Sequence, residues 1–264
     1  MKALIKFRFV GTAYNGYQVQ PDGIPTVQRA LNEAARQLFG YECDVMGCSR
    51  TDAGVHARAF CAAVSQKGRT DLPTTVDVAN MPRALTTYLP EDIAVTDACW
   101  VPDDFHPRYA VQAKEYEYRF YSSPIRDPFE QHRSWHIPCP LSGDALERMR
   151  QAAKCFEGKH NFTSYMAQGS KIKDPVRTVF YTKVEQEGRV ISFRVCADGF
   201  LYNMVRIMAG TLYEVATGRR EPGCVTQMIL ACDRAKAGQT APPHGLYLSR
   251  VFYQKPDILP PDWD

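Results

Sequence analysis

The chain has 264 residues, 45% of them apolar and 23% charged, a composition suited to one large globular domain or two closely joined subdomains. No apolar run approaches the roughly 18 residues that a membrane span needs, and the N-terminus alternates charge and hydrophobe where a signal peptide would be continuously apolar. Thirty-two basic and 29 acidic side chains leave a net charge of +3, a total that permits nucleic-acid binding without demonstrating it, because an electrostatic footprint depends on clustering.

Residues 2–10 read as a strand, with Ile5, Phe7 and Phe9 on one side and Leu4, Lys6 and Arg8 on the other. A polar, Gly-containing loop (11–20) follows. Pro25 then stands where a helix would start, and Val27, Leu31, Ala34 and Leu38 recur on one face up to Gly40. Two strands come next, near Glu42–Cys48 and Ala59–Val64. The pattern gives a helix near 75–88, kinked or cut short at Pro82, and a strand from Ile93 to Val101. A long strand spans Val111–Ser122 and leads into a Pro-rich connection. A helix covers about Asp144–Phe156, strands lie near 176–186 and 189–197, helices near 200–217 and 223–232, and a last strand from Gly245 to Tyr253.

This rhythm of strand, helix, strands, helix, strand occurs twice, which predicts an α+β fold of two subdomains, each with a mainly antiparallel sheet and helices on one face. The expected divisions are 1–105, 106–255 and an irregular, Pro-rich tail at 256–264. Nine cysteines stand singly, with no Cys-x-x-Cys pair, so neither a zinc ribbon nor a redox dithiol is expected. They read as free thiols of a reducing compartment, which points to the cytoplasm.

Chemistry concentrates in three segments. Arg50-Thr51-Asp52-Ala53-Gly54-Val55-His56-Ala57 places three ionisable side chains around Gly54, between two strands. Loops held by rigid strands are favoured catalytic positions, although a simple turn with a positive φ at Gly54 accounts for the spacing equally well. Arg206 lies in a helix that is apolar on nearly every face, so its guanidinium needs a counter-charge, unless it reaches out to solvent. In Lys114-Glu115-Tyr116-Glu117-Tyr118 the two tyrosines share a strand face, suited to cross-strand packing or to stacking on a base. His132 and His136 have i, i+4 spacing, but flanking prolines disfavour a helix and no metal site is expected. His56 and His106 are the kind of loop histidines that contact phosphate or order their own loop. No phosphate-binding glycine motif occurs.

Together these segments resemble the TruA-type tRNA pseudouridine synthases. The likeness includes Ser49–Ala57, Gly11-Thr12 through Gln18, Asp103–Arg108, Lys114–Tyr118, Asn161–Ser164, Phe200–Arg206 and Gly245–Leu248, and so runs from about residue 4 to 252. Ser49, Val10 and Tyr17 depart from the family's usual glycine, acidic residue and tryptophan. The resemblance implies a pseudouridine synthase fold with a catalytic cleft between the subdomains. It implies that Asp52 is the catalytic carboxylate (the nucleophile), that Arg206 is its ion-pair partner, that Arg50 helps extrude the base and that Tyr116 stacks on the target uracil. Arg58, Arg108, Lys171, Lys173 and Arg177 are expected to contact RNA. The basic runs 171–177, 67–69 and 219–220 would then form a phosphate track.

The implied reaction converts uridine to pseudouridine at positions 38–40 of the tRNA anticodon stem-loop. It breaks C1′–N1 and forms C1′–C5 without redox change, so no metal or diffusible cofactor is required. Whether the carboxylate attacks C1′ or acts as a base on the ribose stays open. The partners implied are tRNA and a second copy of the chain, as a homodimer. The competing reading is a catalytically silent tRNA-binding or RNA-folding protein.

Overall fold

A computed structural model describes residues 1–21, 23–141, 143–169 and 172–254. The tail expected at 256–264 lies outside the described residues. Contacts divide the chain into two compact units. Unit 1 is Met1–Gln112 with the segment from Leu248 onward, and unit 2 is Ala113–Tyr247. The expected division at 105/106 differs from this by a few residues. It differs more at the far end, where the strand placed in the second subdomain contributes most of its length to the first.

In unit 1, β1 (Lys2–Phe9) runs between β4 (Ile93–Val101) and β3 (His56–Gln66), antiparallel to both. β2 (Cys43–Gly47) pairs antiparallel with the Ala62–Gln66 end of β3, and β10 (Leu246–Phe252) also neighbours β3. The alternation of β1 is realised as expected. Ile5, Phe7 and Phe9 are buried, while Lys6 and Arg8 are exposed. α1 (Val27–Phe39) buries Val27, Leu31, Ala34 and Ala35. Its N-cap is Thr26, whose hydroxyl accepts from the Arg29 amide, so Pro25 stands ahead of the cap and not at the first helical position. Gly40 ends the helix in the left-handed conformation.

α2 (Met81–Thr87) is shorter than the helix expected at 75–88, and Pro82 does not kink it. Pro82 sits in the first turn, where the missing N–H would have had no partner, and a 3₁₀ turn at Val78–Asn80 precedes it. β3 is longer than the apolar run 59–64, because pairing partners on both sides hold its polar ends in the ladder.

Unit 2 is built on the order β5-β9-β8-β7, from β5 (Ala113–Ser122), β7 (Gly158–Asn161), β8 (Val176–Glu187) and β9 (Val190–Ala197). All these pairings are antiparallel. Two strands among the described residues were not foreseen: β7, and β6 (Trp135–Ile137), which runs parallel to β5 out of the Pro-rich connection. α3 (Asp144–Lys154) buries Leu146, Met149, Ala152 and Ala153. α4 (Met204–Ala216) begins later than expected because Asn203 turns the chain with φ 59°, and α5 (Cys224–Ala231) follows. Tyr118, Phe120 and Phe193 anchor the core of this unit. The whole is an α+β fold with mainly antiparallel sheets. Among the described residues no helix is long and apolar enough to cross a membrane.

Candidate active site

The Asp52 loop joins β2 to β3 and closes as a tight turn. The Val55 amide donates to the Asp52 carbonyl at 3.2 Å, and Gly54 adopts φ 77°, the positive value demanded at the third position of a type II turn. The turn is therefore closed by a main-chain hydrogen bond. Asp52 is half-buried and Arg50 is exposed.

A second loop, 11–18, holds this turn from outside. The Gly54 amide donates to the Tyr14 carbonyl at 3.2 Å and the Tyr17 amide to the Thr51 carbonyl at 3.3 Å. The Gly11 amide donates to His56 Nδ1 at 2.9 Å, so His56, 1% exposed, orders the loop. A Cβ at Gly11 would lie 2.0 Å from the Val55 carbonyl oxygen, which explains glycine there. Two tyrosines pin the bracing loop in turn. Tyr14 donates to Asp92 Oδ1 at 2.6 Å, and burial followed by this acidic neighbour raises its pKa strongly. Tyr17 donates to the Val45 carbonyl at 3.0 Å and stacks on Phe60 at 4.5 Å. Burial also raises its phenol pKa, helped by the neighbouring Cys48. Both phenols thus remain protonated donors.

Arg50 and Arg108 line one depression with Tyr17, Gln18, His106 and Tyr109. Arg58 lines a different groove, beside Lys6 and Arg250. In unit 2, Tyr116 is buried and meets Phe200 edge-on at 4.9 Å, while Tyr118 donates to the Pro242 carbonyl at 2.8 Å. Burial raises the Tyr118 pKa strongly, and the nearby Arg206 charge opposes that rise. Arg206 is half-buried, so α4 is not enclosed on every face. Its Nη1 donates to Asn203 Oδ1 at 2.7 Å and its Nε to the Ala241 carbonyl at 2.8 Å. The same Asn203 that delays the helix thus orients the guanidinium.

The family model for tRNA pseudouridine synthase matches residues 5–110 and 152–254. The tRNA pseudouridine synthase A of Bacillus licheniformis is 41% identical over 255 residues, 96% of this chain and 98% of that protein. That of Moorella thermoacetica is 42% identical, over 94% of this chain and 98% of its own. The chain belongs to the tRNA pseudouridine synthase family. Asp52, Arg50 and Arg206 fall inside the matched stretches, whereas Tyr116 lies outside both. A chain of a Cbf5-Nop10-Gar1 complex covers 92% of this synthase-family chain and 57% of its own, at 13% identity and TM-score 0.34, too slight a likeness to bear on the fold.

The basic residues expected to track RNA in this synthase-family chain separate by their surroundings. Lys171 lies outside the described residues. Lys173 is exposed, but Arg177 donates to the Asp174 carbonyl at 3.0 Å and so braces its own loop. Arg69 pairs with Asp71 at 2.7 Å, Arg220 with Glu214, and Arg219 lies over the Tyr213 ring. These three arginines of the 67–69 and 219–220 runs are thus already engaged by neighbours. His132 and His136 do not share a helix. His136 is in β6 and its Nε2 is 2.8 Å from the Ser123 carbonyl.

Proposed function

We propose that this synthase acts on tRNA, converting uridines at positions 38–40 of the anticodon stem-loop to pseudouridine. Asp52 serves as the reacting carboxylate and Arg206 as its counter-charge. Arg50 helps to extrude the target nucleotide and Tyr116 stacks on its uracil. The observation that carries this reading is the double bracing of the Asp52 turn in a member of this family. Four main-chain and imidazole hydrogen bonds fix the backbone that presents one carboxylate. A reaction that must act at a fixed ribose carbon benefits from such preorganisation.

The base leaves its stack at a cost of a few kcal/mol. A guanidinium in its place and an aromatic partner in the pocket offset that cost. C1′–N1 then breaks, the uracil turns, C1′–C5 forms, and the C5 proton is lost as N1 gains one. Atoms and electrons balance within the substrate. Tyr116 is buried against Phe200, so a stacking role requires its exposed edge, or a small shift of Phe200, to admit the base. We further read the protein as a cytoplasmic homodimer, on family resemblance.

The test is to incubate purified protein with an unmodified tRNA transcript carrying uridines through the anticodon arm, beside Asp52→Asn, and to map pseudouridine by position. Conversion at 38–40 by wild type alone establishes reaction, position and residue together. Tight binding without conversion overturns the enzymatic reading in favour of a silent tRNA-binding protein. Conversion elsewhere in the tRNA overturns only the position.

A further inference from the structure

The depression that holds Arg50 also presents an aromatic ring to solvent that the assigned residues do not use. Tyr109 is 78% exposed, yet its ring is not loose. It stacks on His106 with centroids 4.1 Å apart and planes 29° from parallel. His106 is itself fixed, because its Nδ1 accepts from the amides of Arg108 at 3.2 Å and Tyr109 at 3.3 Å. The turn is closed by the Ala110 amide donating to the His106 carbonyl at 3.0 Å. It is moored at two further points. Tyr253 donates to the Pro107 carbonyl at 3.0 Å, and Lys2 donates to the Phe105 carbonyl at 3.2 Å.

A large aromatic ring left in water gains nothing from burial. Here, moreover, His106 covers only one face, and the other remains available. Ordered aromatic faces next to cationic side chains are how proteins hold unpaired RNA bases, since every base has a π-face to stack and the phosphates seek the charge. Arg50 and Arg108 border the same depression as Tyr109. Arg50 is two residues from Asp52, a span of at most about 7 Å of extended chain. A nucleotide on Tyr109 would therefore lie close in the strand to the one that reacts.

We propose that Tyr109, backed by His106, is a stacking platform for an unpaired nucleobase neighbouring the target uridine, with Arg108 taking the phosphate between them. This rests on the reading that Arg50 and Asp52 meet the target nucleotide. The platform is a binding and positioning element and takes no part in bond making. It would favour targets whose neighbour is free to unstack, and purines over pyrimidines at that neighbour through the larger ring overlap.

The experiment uses the full chain and a tRNA transcript in which the converted uridine has been mapped, together with transcripts carrying an abasic nucleotide on either side of that uridine. Binding is measured in the Asp52→Asn background, with and without Tyr109→Ala or Tyr109→Phe. Thermal melts check folding. Tyr109→Ala is expected to weaken binding of the intact transcript about tenfold, as loss of one base–aromatic stack does, and Tyr109→Phe to restore it to within about twofold. One abasic transcript should bind the parent about as weakly as the intact RNA binds Tyr109→Ala, with no further loss on combining the two. With Asp52 restored, Tyr109→Ala should raise KM and leave kcat near wild type. Unchanged affinity of Tyr109→Ala overturns the platform, as does an equal loss on intact and both abasic transcripts. Failure of the underlying reading looks different, because Asp52→Asn would then retain turnover.

Discussion

The Gly11 amide and His56 Nδ1 lie 2.9 Å apart, joining the end of β1 to the start of β3 across the turn that carries Asp52. The bond makes an imidazole part of the backbone bracing, and it requires Gly11 to approach Val55 more closely than any side-chain-bearing residue could. Gly11→Ala is therefore expected to force the two loops apart. Overpacking of this kind costs about 1–3 kcal/mol. The melting temperature should fall, and kcat should fall further than stability alone explains. Steady-state kinetics well below the transition would check this, and a wild-type kcat would show that the brace is dispensable.

Arg206→Leu should impair both function and folding. A buried ion is sometimes replaced by a hydrophobe with a gain in stability. Here, however, the guanidinium satisfies the Ala241 carbonyl and Asn203 Oδ1 from a half-buried position. Removing it strands two acceptors, at about 1–3 kcal/mol for each one that water cannot reach. Urea denaturation should show a lower midpoint, and turnover on tRNA should drop severely. Near-wild-type turnover would remove Arg206 from its proposed role.

Buried thiols set an alkaline limit. Burial pushes Cys61 up to about 12 and Cys43 up to about 11, from an ordinary 9. As pH rises past 9 the unfolded chain releases these protons while the folded chain keeps them, so stability present below 9 is lost progressively through 11–12. Chemical denaturation at pH 8, 9.5 and 10.5 should give falling midpoints. Cys61→Ala should flatten the slope, and an unchanged slope would place the loss elsewhere.

Salt dependence can separate phosphate contacts from structural cations. Arg108 and Lys173 are exposed, and replacing either with Ala should lower the slope of log K against log salt by about one contact's worth, roughly 0.7–0.9. Arg69→Ala should leave the slope unchanged, since Asp71 already holds that charge. Filter binding across a salt series is sufficient. Equal slopes for all three variants would contradict the division drawn here.

Regular elements were legible where one face met a core and the other met water. The two-residue period of β1 and the helical spacing of Val27 and Leu31 were decided by burial, and burial is written directly in side-chain type. The turn at Gly54 was legible because positive φ leaves few other residues. What escaped depended on contacts distant in sequence. β6 is three residues whose only cause is the neighbouring β5, and Pro82 reads as a breaker until the helix is seen to start there. In the candidate site the loop that carries Asp52 and Arg50 was readable as a loop between two strands, and it lies between β2 and β3. The brace from loop 11–18 was not, since a glycine amide carries no signal of the imidazole it will meet. Tyr109 was missed for a similar reason. Its exposure and its stack on His106 leave no periodicity, though an aromatic beside Arg108 after a proline was a usable hint.

Strand β10 gives the fold a completion requirement. β2 pairs only with Ala62–Gln66 of β3, so the neighbour that β3 gains from β10 comes from the far end of the sequence. During synthesis, the strand that opens directly out of the Asp52 turn lacks this neighbour until β10 has also left the ribosome. Fragments stopping short of Leu248 would expose unpaired backbone beside that turn, an invitation to aggregation and to proteolysis.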